Sequence, residues 1–278
     1  MPTESKNRHL VYFNGEVHEY SSLSDLPRPV AVSMGRELGI SPVTYLNPSI
    51  GNSTISVWDH LDVLSESATL LGYAGATPAR LAELLLEYGP LGGPDCTLVA
   101  LVPDPTSHVA APPGLNWFLH AEAFRPSGDS STQRDTARGP LAKSHRTGIS
   151  AHRRNHRDPS TRVQLWDDII ANLTKAEASQ AGLDAMVVLN VDGRVASTGV
   201  CTVMLELGER YVTPPLSEGA LDTPWRRNIL YSGEAVEMRL TLENLRNADM
   251  VLCLSPWGEE YRLDLVETGD GAGDQRAE

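Results

Sequence analysis

Lysine is scarce in this chain of 278 residues, where Lys6, Lys143 and Lys175 stand against twenty arginines. Any chemistry that needs a lysine amine as nucleophile therefore has few carriers. Cysteine is equally rare: Cys96, Cys201 and Cys253 are far apart, with no Cys-x-x-Cys spacing. That excludes a zinc or dithiol motif and predicts ordinary buried thiols. No apolar run reaches the roughly 18 residues of a membrane-spanning helix, and the opening MPTESKNRHL has no apolar core for a signal peptide. A cytoplasmic protein without a membrane partner is expected. The net charge of −13 also argues against nucleic acid, whose phosphates need a basic footprint.

What is present is enough for a sizeable core, since 41% of residues are hydrophobic. LVYF and EVHEY flank Asn14-Gly15 and predict a hairpin. Helices are expected over Val57 to Leu71 and Pro78 to Tyr88, and strands over Cys96 to Val102 and Leu115 to Phe124. Between Arg125 and Lys143 apolar residues almost vanish, which marks a linker. Beyond it we expect a helix from Leu165 to Ala181, with Leu165, Ile169, Leu173 and Ala176 on one side. MVVLNV and VCTVMLEL then form a second hairpin around Asp192-Gly193, followed by a short helix from Arg226 to Tyr231 and three strands near Val236, Met250 and Tyr261. The organisation is thus an α/β (α+β) protein of two lobes, residues 1–124 and 144–267, joined by a flexible linker at 125–143 and ending in a disordered tail at 268–278.

The charge is unevenly spread. From Thr136 to Arg157 there is no acid, while Arg138, Lys143, Arg146, Arg153, Arg154 and Arg157 are basic and His145, His152 and His156 join them. Such a stretch attracts an anion, or is a solvated linker followed by a basic strand.

Two segments resemble the class IV aminotransferases, a family that includes branched-chain and D-amino acid aminotransferases and aminodeoxychorismate lyase. VYFNGEV followed by HLDVLSESATLLG resembles the family's opening strand and H-x-x-R-L-x-x-S-A helix. AEASQAGLDAMVVLNVDGRVAS, YVTPPLSEGAL and NADMVLCLS resemble its second-lobe helix, hairpin, T-P-x-L loop and later strand. The resemblance implies the two-lobed fold type IV architecture with its cleft between the lobes, and a homodimer.

It also implies pyridoxal phosphate, yet the positions that would hold it are altered. Gln164 stands where the family's Schiff-base lysine belongs, and a carboxamide forms no imine. Ser197 replaces the acid that pairs with the pyridine nitrogen. Val63 replaces the phosphate-binding arginine. Thr223, Pro224, Trp225 and Arg226 align with the G-[IV]-[TM]-R turn, where Pro224 offers no N–H to a phosphate. No cofactor is therefore expected, and a working transaminase is not.

The remaining cleft suggests two functions. One is a pyridoxal-phosphate-independent enzyme, a lyase, isomerase, dehydratase or cyclase, acting by general acid and base on a small carboxylate-bearing metabolite, as in bacterial specialised metabolism. The other is a catalytically dead homologue serving as a binding or partner subunit. For the enzyme, alternation along an extended GISAHRRNHR would put His152, Arg154 and His156 on one face. His152, His156 and Asp168 are the expected acid–base groups, and Arg154, Gln164, Trp166, Tyr45 and Arg226 the expected substrate contacts. Arg154→Ala is expected to weaken ligand binding and spare stability. No metal site is expected, because HRRNH supplies no third ligand. A pocket plugged by Trp166 or Trp225 would favour the dead homologue.

Overall fold

Alternating apolar residues build two separate sheets. The computed structural model describes residues 9–13, 16–20, 41–46, 55–73, 75–87, 96–103, 117–124, 144–165 and 168–266. The first sheet holds β1 (His9–Phe13), β2 (Glu16–Tyr20), β3 (Val43–Leu46), β4 (Cys96–Pro103) and β5 (Trp117–Phe124), in the order β2-β1-β5-β4-β3 with every pair antiparallel. Helices α1 (Val57–Leu70) and α2 (Pro78–Glu87) cover it, and Leu61, Leu64, Leu81 and Leu84 pack with Leu46, Val99 and Leu101. Ser56 caps α1 in a capping box: its Oγ accepts from Asp59 N–H, and its own N–H donates to Asp59 Oδ2. The predicted linker and tail lie outside the described residues.

The second sheet has eight strands: β6 (Ser144–Arg154), β7 (Ala185–Asn190), β8 (Val195–Ser197), β9 (Thr202–Leu207), β10 (Arg210–Thr213), β11 (Ala235–Glu237), β12 (Met250–Leu254) and β13 (Glu260–Leu265). Their order is β11-β10-β9-β12-β13-β6-β7-β8. The predicted second hairpin is corrected here, because β7 turns at Asp192-Gly193 onto β8, whereas β9 pairs with β10 and β12. Thr198 still bridges Cys201, so the curled sheet brings β8 back against β9.

Helix α3 (Ile169–Ala181) starts four residues later than its periodicity suggests. Asp168 caps it, accepting Ala171 N–H at 3.1 Å, while Leu165 bridges to Pro42 of the first sheet. The helix is also rotated: Thr174 and Ala178 face the sheet, and Ile169 and Leu173 are exposed. Glu177 accounts for this. Strand β6 bulges between Ile149 and Arg153, and the Glu177 carboxylate takes the Ser150 hydroxyl at 2.5 Å and the Ala151 N–H at 2.8 Å. Small residues then face the sheet so that this glutamate reaches the bulge.

Helices α4 (Pro224–Tyr231) and α5 (Leu242–Arg246) complete the lobe. Among the contacts that join the two lobes, Val43 N–H donates to the Gln164 carbonyl at 2.9 Å, the Arg227 guanidinium grips Glu66, and Ile55 packs with Trp225. Among the described residues no helix is long and apolar enough to cross a membrane.

Candidate functional site between the sheets

Of the arginines of β6, Arg154 is matched by an acid from elsewhere in the chain, whereas the guanidinium groups of Arg146 and Arg153 donate to backbone carbonyls. Arg154 is 2% exposed, and its guanidinium donates to Asp168 Oδ2 at 3.0 Å, to the Thr161 carbonyl at 2.9 Å and to the Gly199 carbonyl at 3.3 Å. Asp168 thus receives both a buried arginine and the first turn of α3. Strand β6 ends at Arg154, so His156 leaves the extended face expected for it and sits in the following turn. There its Nε2 lies 3.3 Å from Asp192, which also pairs with Arg157. The Arg146 N–H donates to Asp184. His152 is half-buried, its N–H donates to Ser150 Oγ, and its ring has no partner among the described residues. Arg154 and Asp168 are therefore brought together, and the His156 ring is paired with Asp192 instead.

A different group of polar residues surrounds the point where the two sheets meet. Gln164 is 3% exposed; its backbone carbonyl accepts from β3, and its side-chain Nε2 has no partner among the described residues. Ser197, Thr198 and Thr202, all buried at the β8–β9 connection, likewise have hydroxyls without an oxygen or nitrogen partner among the described residues, that of Thr198 lying beside the Cys253 thiol. The two parts adjoin: Asp168, four residues beyond Gln164, is tied through Arg154 to Gly199, which lies within the same connection. A buried donor left unpaired costs about 1–3 kcal/mol, so such a concentration points to a use.

The start of α4 carries the residues aligned with the family's turn. Thr223 is the N-cap and its Oγ1 accepts from Arg226 N–H. Trp225 is 2% exposed, packed among Met204, Ile229, Leu252, Leu254 and Ile55. Gly258, at φ 91°, lies flat against its indole, where any Cβ would overlap the ring. Arg226 donates to the Pro214 carbonyl at 2.8 Å and to Glu237 at 2.5 Å, both within its own lobe. Val63 is 2% exposed on the inner face of α1.

The β12–β13 turn carries a group that the sequence alone did not point to. Trp257 Nε1 donates to Glu259 Oε2 at 2.7 Å, and the Tyr261 hydroxyl donates to the same oxygen. Tyr45 of β3 meets Trp257 edge-on with ring centroids 5.7 Å apart, and the His145 ring lies 4.7 Å from that of Tyr261. Burial and then Glu259 push the Tyr261 phenol up, so it stays protonated. The available signal was the i, i+2, i+4 spacing of Trp257, Glu259 and Tyr261 around the β12–β13 turn. Cys253, beside Tyr261, has its thiol pushed well up by the adjacent Cys201 and by burial. Thr44 Oγ1 lies 2.9 Å from His60 Nδ1, and burial drives the His60 imidazole down to about 4, against the opposing pull of Asp59. Trp166 lies outside the described residues.

The sequence model described as "Amino-transferase class IV" matches residues 52–258. Among solved structures, the branched-chain aminotransferase of Thermoproteus uzoniensis with norvaline superposes with a TM-score of 0.70 at 17% identity, covering 98% of this chain and 90% of that one. The Escherichia coli branched-chain amino acid aminotransferase gives a TM-score of 0.72 at 18% identity, over 93% and 86% of the two chains. An aminotransferase from Brucella abortus bound to PLP gives 0.68 at 17% identity, over 93% and 91%. No curated protein matches the sequence. With the match spanning most of its length and the same two-sheet architecture throughout, this chain belongs to the class IV aminotransferase family.

Proposed function

We propose that this chain has left pyridoxal-phosphate chemistry and binds a small polar metabolite between its sheets. The observation that carries the reading is the partnerless set of Gln164, Ser197, Thr198 and Thr202, buried where the resemblance puts the lysine and the ring-nitrogen acid. The residues present do not fit the cofactor. The Gln164 carboxamide forms no Schiff base, and the Ser197 hydroxyl holds no pyridinium. Val63 brings no charge to a phosphate, Pro224 has no N–H, and Trp225 fills the space beside it with an indole. Incubation with pyridoxal phosphate is expected to leave the protein without visible Schiff-base absorbance. A coloured band that borohydride fixes onto a lysine would sink the reading. Gln164→Lys alone is expected to show no turnover of an amino donor, since the other contacts stay absent.

Binding is favoured over catalysis because the predicted acid–base groups are committed elsewhere, Asp168 to Arg154 and to the cap of α3, and His156 to Asp192. The bonds of Arg154 also remove the basis for an acidic ligand there. A second reading, a cofactor-independent acid–base enzyme, draws support from the unpartnered ring of His152 and from the family, whose members are enzymes. The homodimer implied by the family belongs to either reading, and the exposed Ile169 and Leu173 support it; a monomer mass by light scattering would count against it.

A further inference from the structure

The carboxylate of Glu259 has no basic partner among the described residues. It is half-buried, its Oε2 accepts from Trp257 and Tyr261, and its Oε1 bonds to nothing among the described residues. No described arginine, lysine or histidine pairs with it, whereas Arg154, Arg194, Arg226 and Arg227 all find acids. A half-buried carboxylate is costly without a counter-charge, and the groups around this one are aromatic. Tyr45 comes from the first sheet, and Trp257 and Tyr261 from the second, so the rings span the junction. The Glu259 backbone is fixed as well: its N–H donates to Ser255 Oγ and its carbonyl accepts from Ser255 N–H, both at 2.8 Å.

From this arrangement we infer that Glu259, Trp257, Tyr261 and Tyr45 receive the positive end of an organic cation, a quaternary or protonated amine that carries no adjacent carboxylate. The inference rests on the cleft being a binding site free of pyridoxal phosphate, and it adds the charge of the ligand. Ring faces attract a cation through their quadrupole, and Glu259 supplies the counter-charge that a neutral or anionic ligand would waste. A carboxylate on the ligand would be repelled by the same residue. Beyond the rings, the neutral groups at Gln164, Ser197, Thr198 and Thr202 can hydrogen-bond the uncharged remainder of the molecule.

The test is calorimetric titration of the full chain with choline and with its uncharged carbon isostere. Wild type is expected to bind choline about tenfold more tightly than the isostere, the ratio set by a desolvated cation on aromatic rings. Glu259→Gln keeps an acceptor for Trp257 and Tyr261, removes the charge, and is expected to erase the preference. Tyr45→Ala, read against its own thermal melt, is expected to weaken choline by about fivefold. Should Glu259→Gln fail to fold, Tyr45→Ala decides. Absence of choline binding in wild type, equal affinity for the two probes, or a preference that survives these variants would overturn the inference. Schiff-base absorbance on the same preparation would sink the cofactor-free reading while leaving the charge preference standing, so the two failures are told apart.

Discussion

Two sets of buried polar groups lie side by side in this protein and are treated in opposite ways. The charged set, Arg154 and Asp168, is bonded on nearly every side: to each other, to two carbonyls and to the first turn of α3. The neutral set, Gln164, Ser197, Thr198 and Thr202, is buried as deeply, and its amide nitrogen and three hydroxyls find no oxygen or nitrogen partner among the described residues. The difference follows from cost. An unpaired buried charge is worth several kcal/mol and unfolds a marginal protein, whereas an unpaired hydroxyl costs little enough to survive if something outside the chain satisfies it. On the proposed reading, the charged set is architecture and the neutral set is the place left for a ligand.

The comparison breaks most sharply if the charged set proves dispensable. Asp168→Ala strands the Arg154 guanidinium and is expected to cost about 3–5 kcal/mol in urea unfolding. Asp168→Asn, which keeps the cap and a hydrogen bond, should recover part of that loss. Arg154→Ala should be comparably severe, contrary to the mild effect expected from sequence. Loss of ligand binding with unchanged stability would return Arg154 to the binding site.

His60 offers a buried group between the two extremes, paired with Thr44 yet ionisable. Its folded-state value of about 4 lies below the unfolded value of 6.5, because burial penalises the charged ring. The neutral form is the one the fold accepts. Its contribution is complete above pH 6.5, declines as pH falls from 6.5 to about 4, and is gone below, a loss of about 3 kcal/mol. Stability measured across that window should flatten in His60→Asn, and an equally steep wild-type slope in the variant would refute the assignment.

The neutral set should give a smaller response of the opposite sign. Ser197→Ala and Thr202→Val remove hydroxyls that the chain itself leaves unpaired, so the ligand-free protein should change by less than about 1 kcal/mol or be stabilised. A larger loss in either variant would show that the hydroxyl already has a structural partner and erase the contrast.

Much of the fold was legible because periodicity and turn chemistry are local. The strand over Met250–Leu254, the helix from Pro78 and the Asp192-Gly193 turn need only neighbours in sequence. What was not legible depends on contacts between distant segments. Arg154 reads as a free cation until Asp168 is folded beneath it, and the basic run loses its isolation once Asp184 and Asp192 arrive from the next strand pair. The apolar stripe of α3 misled for a related reason, since Glu177 and the β6 bulge decide which side faces inward. Within the site, Gln164, Ser197 and Trp225 were singled out by alignment to the family's motifs, which is local, but the group around Glu259 draws on both sheets and needed the folded chain.

The last expected effect is the smallest, and it uses an ion pair with the same chemistry as Arg154 and Asp168 but on the surface. Arg227 of α4 donates two bonds to Asp222 within its own lobe and grips Glu66 of α1 across the junction. Glu66 is 65% exposed, so water screens the pair and the side chains lose rotamer freedom in forming it. Its neighbours, Asp222 first, hold the Arg227 guanidinium well above its ordinary value, so it stays charged at every accessible pH. Glu66→Gln should therefore cost no more than about 1 kcal/mol, and the difference from wild type should shrink as salt is added. If it instead costs as much as Asp168→Ala and resists salt, then burial is not what separates the two arginines, and the contact between the sheets is a principal source of stability for the whole chain.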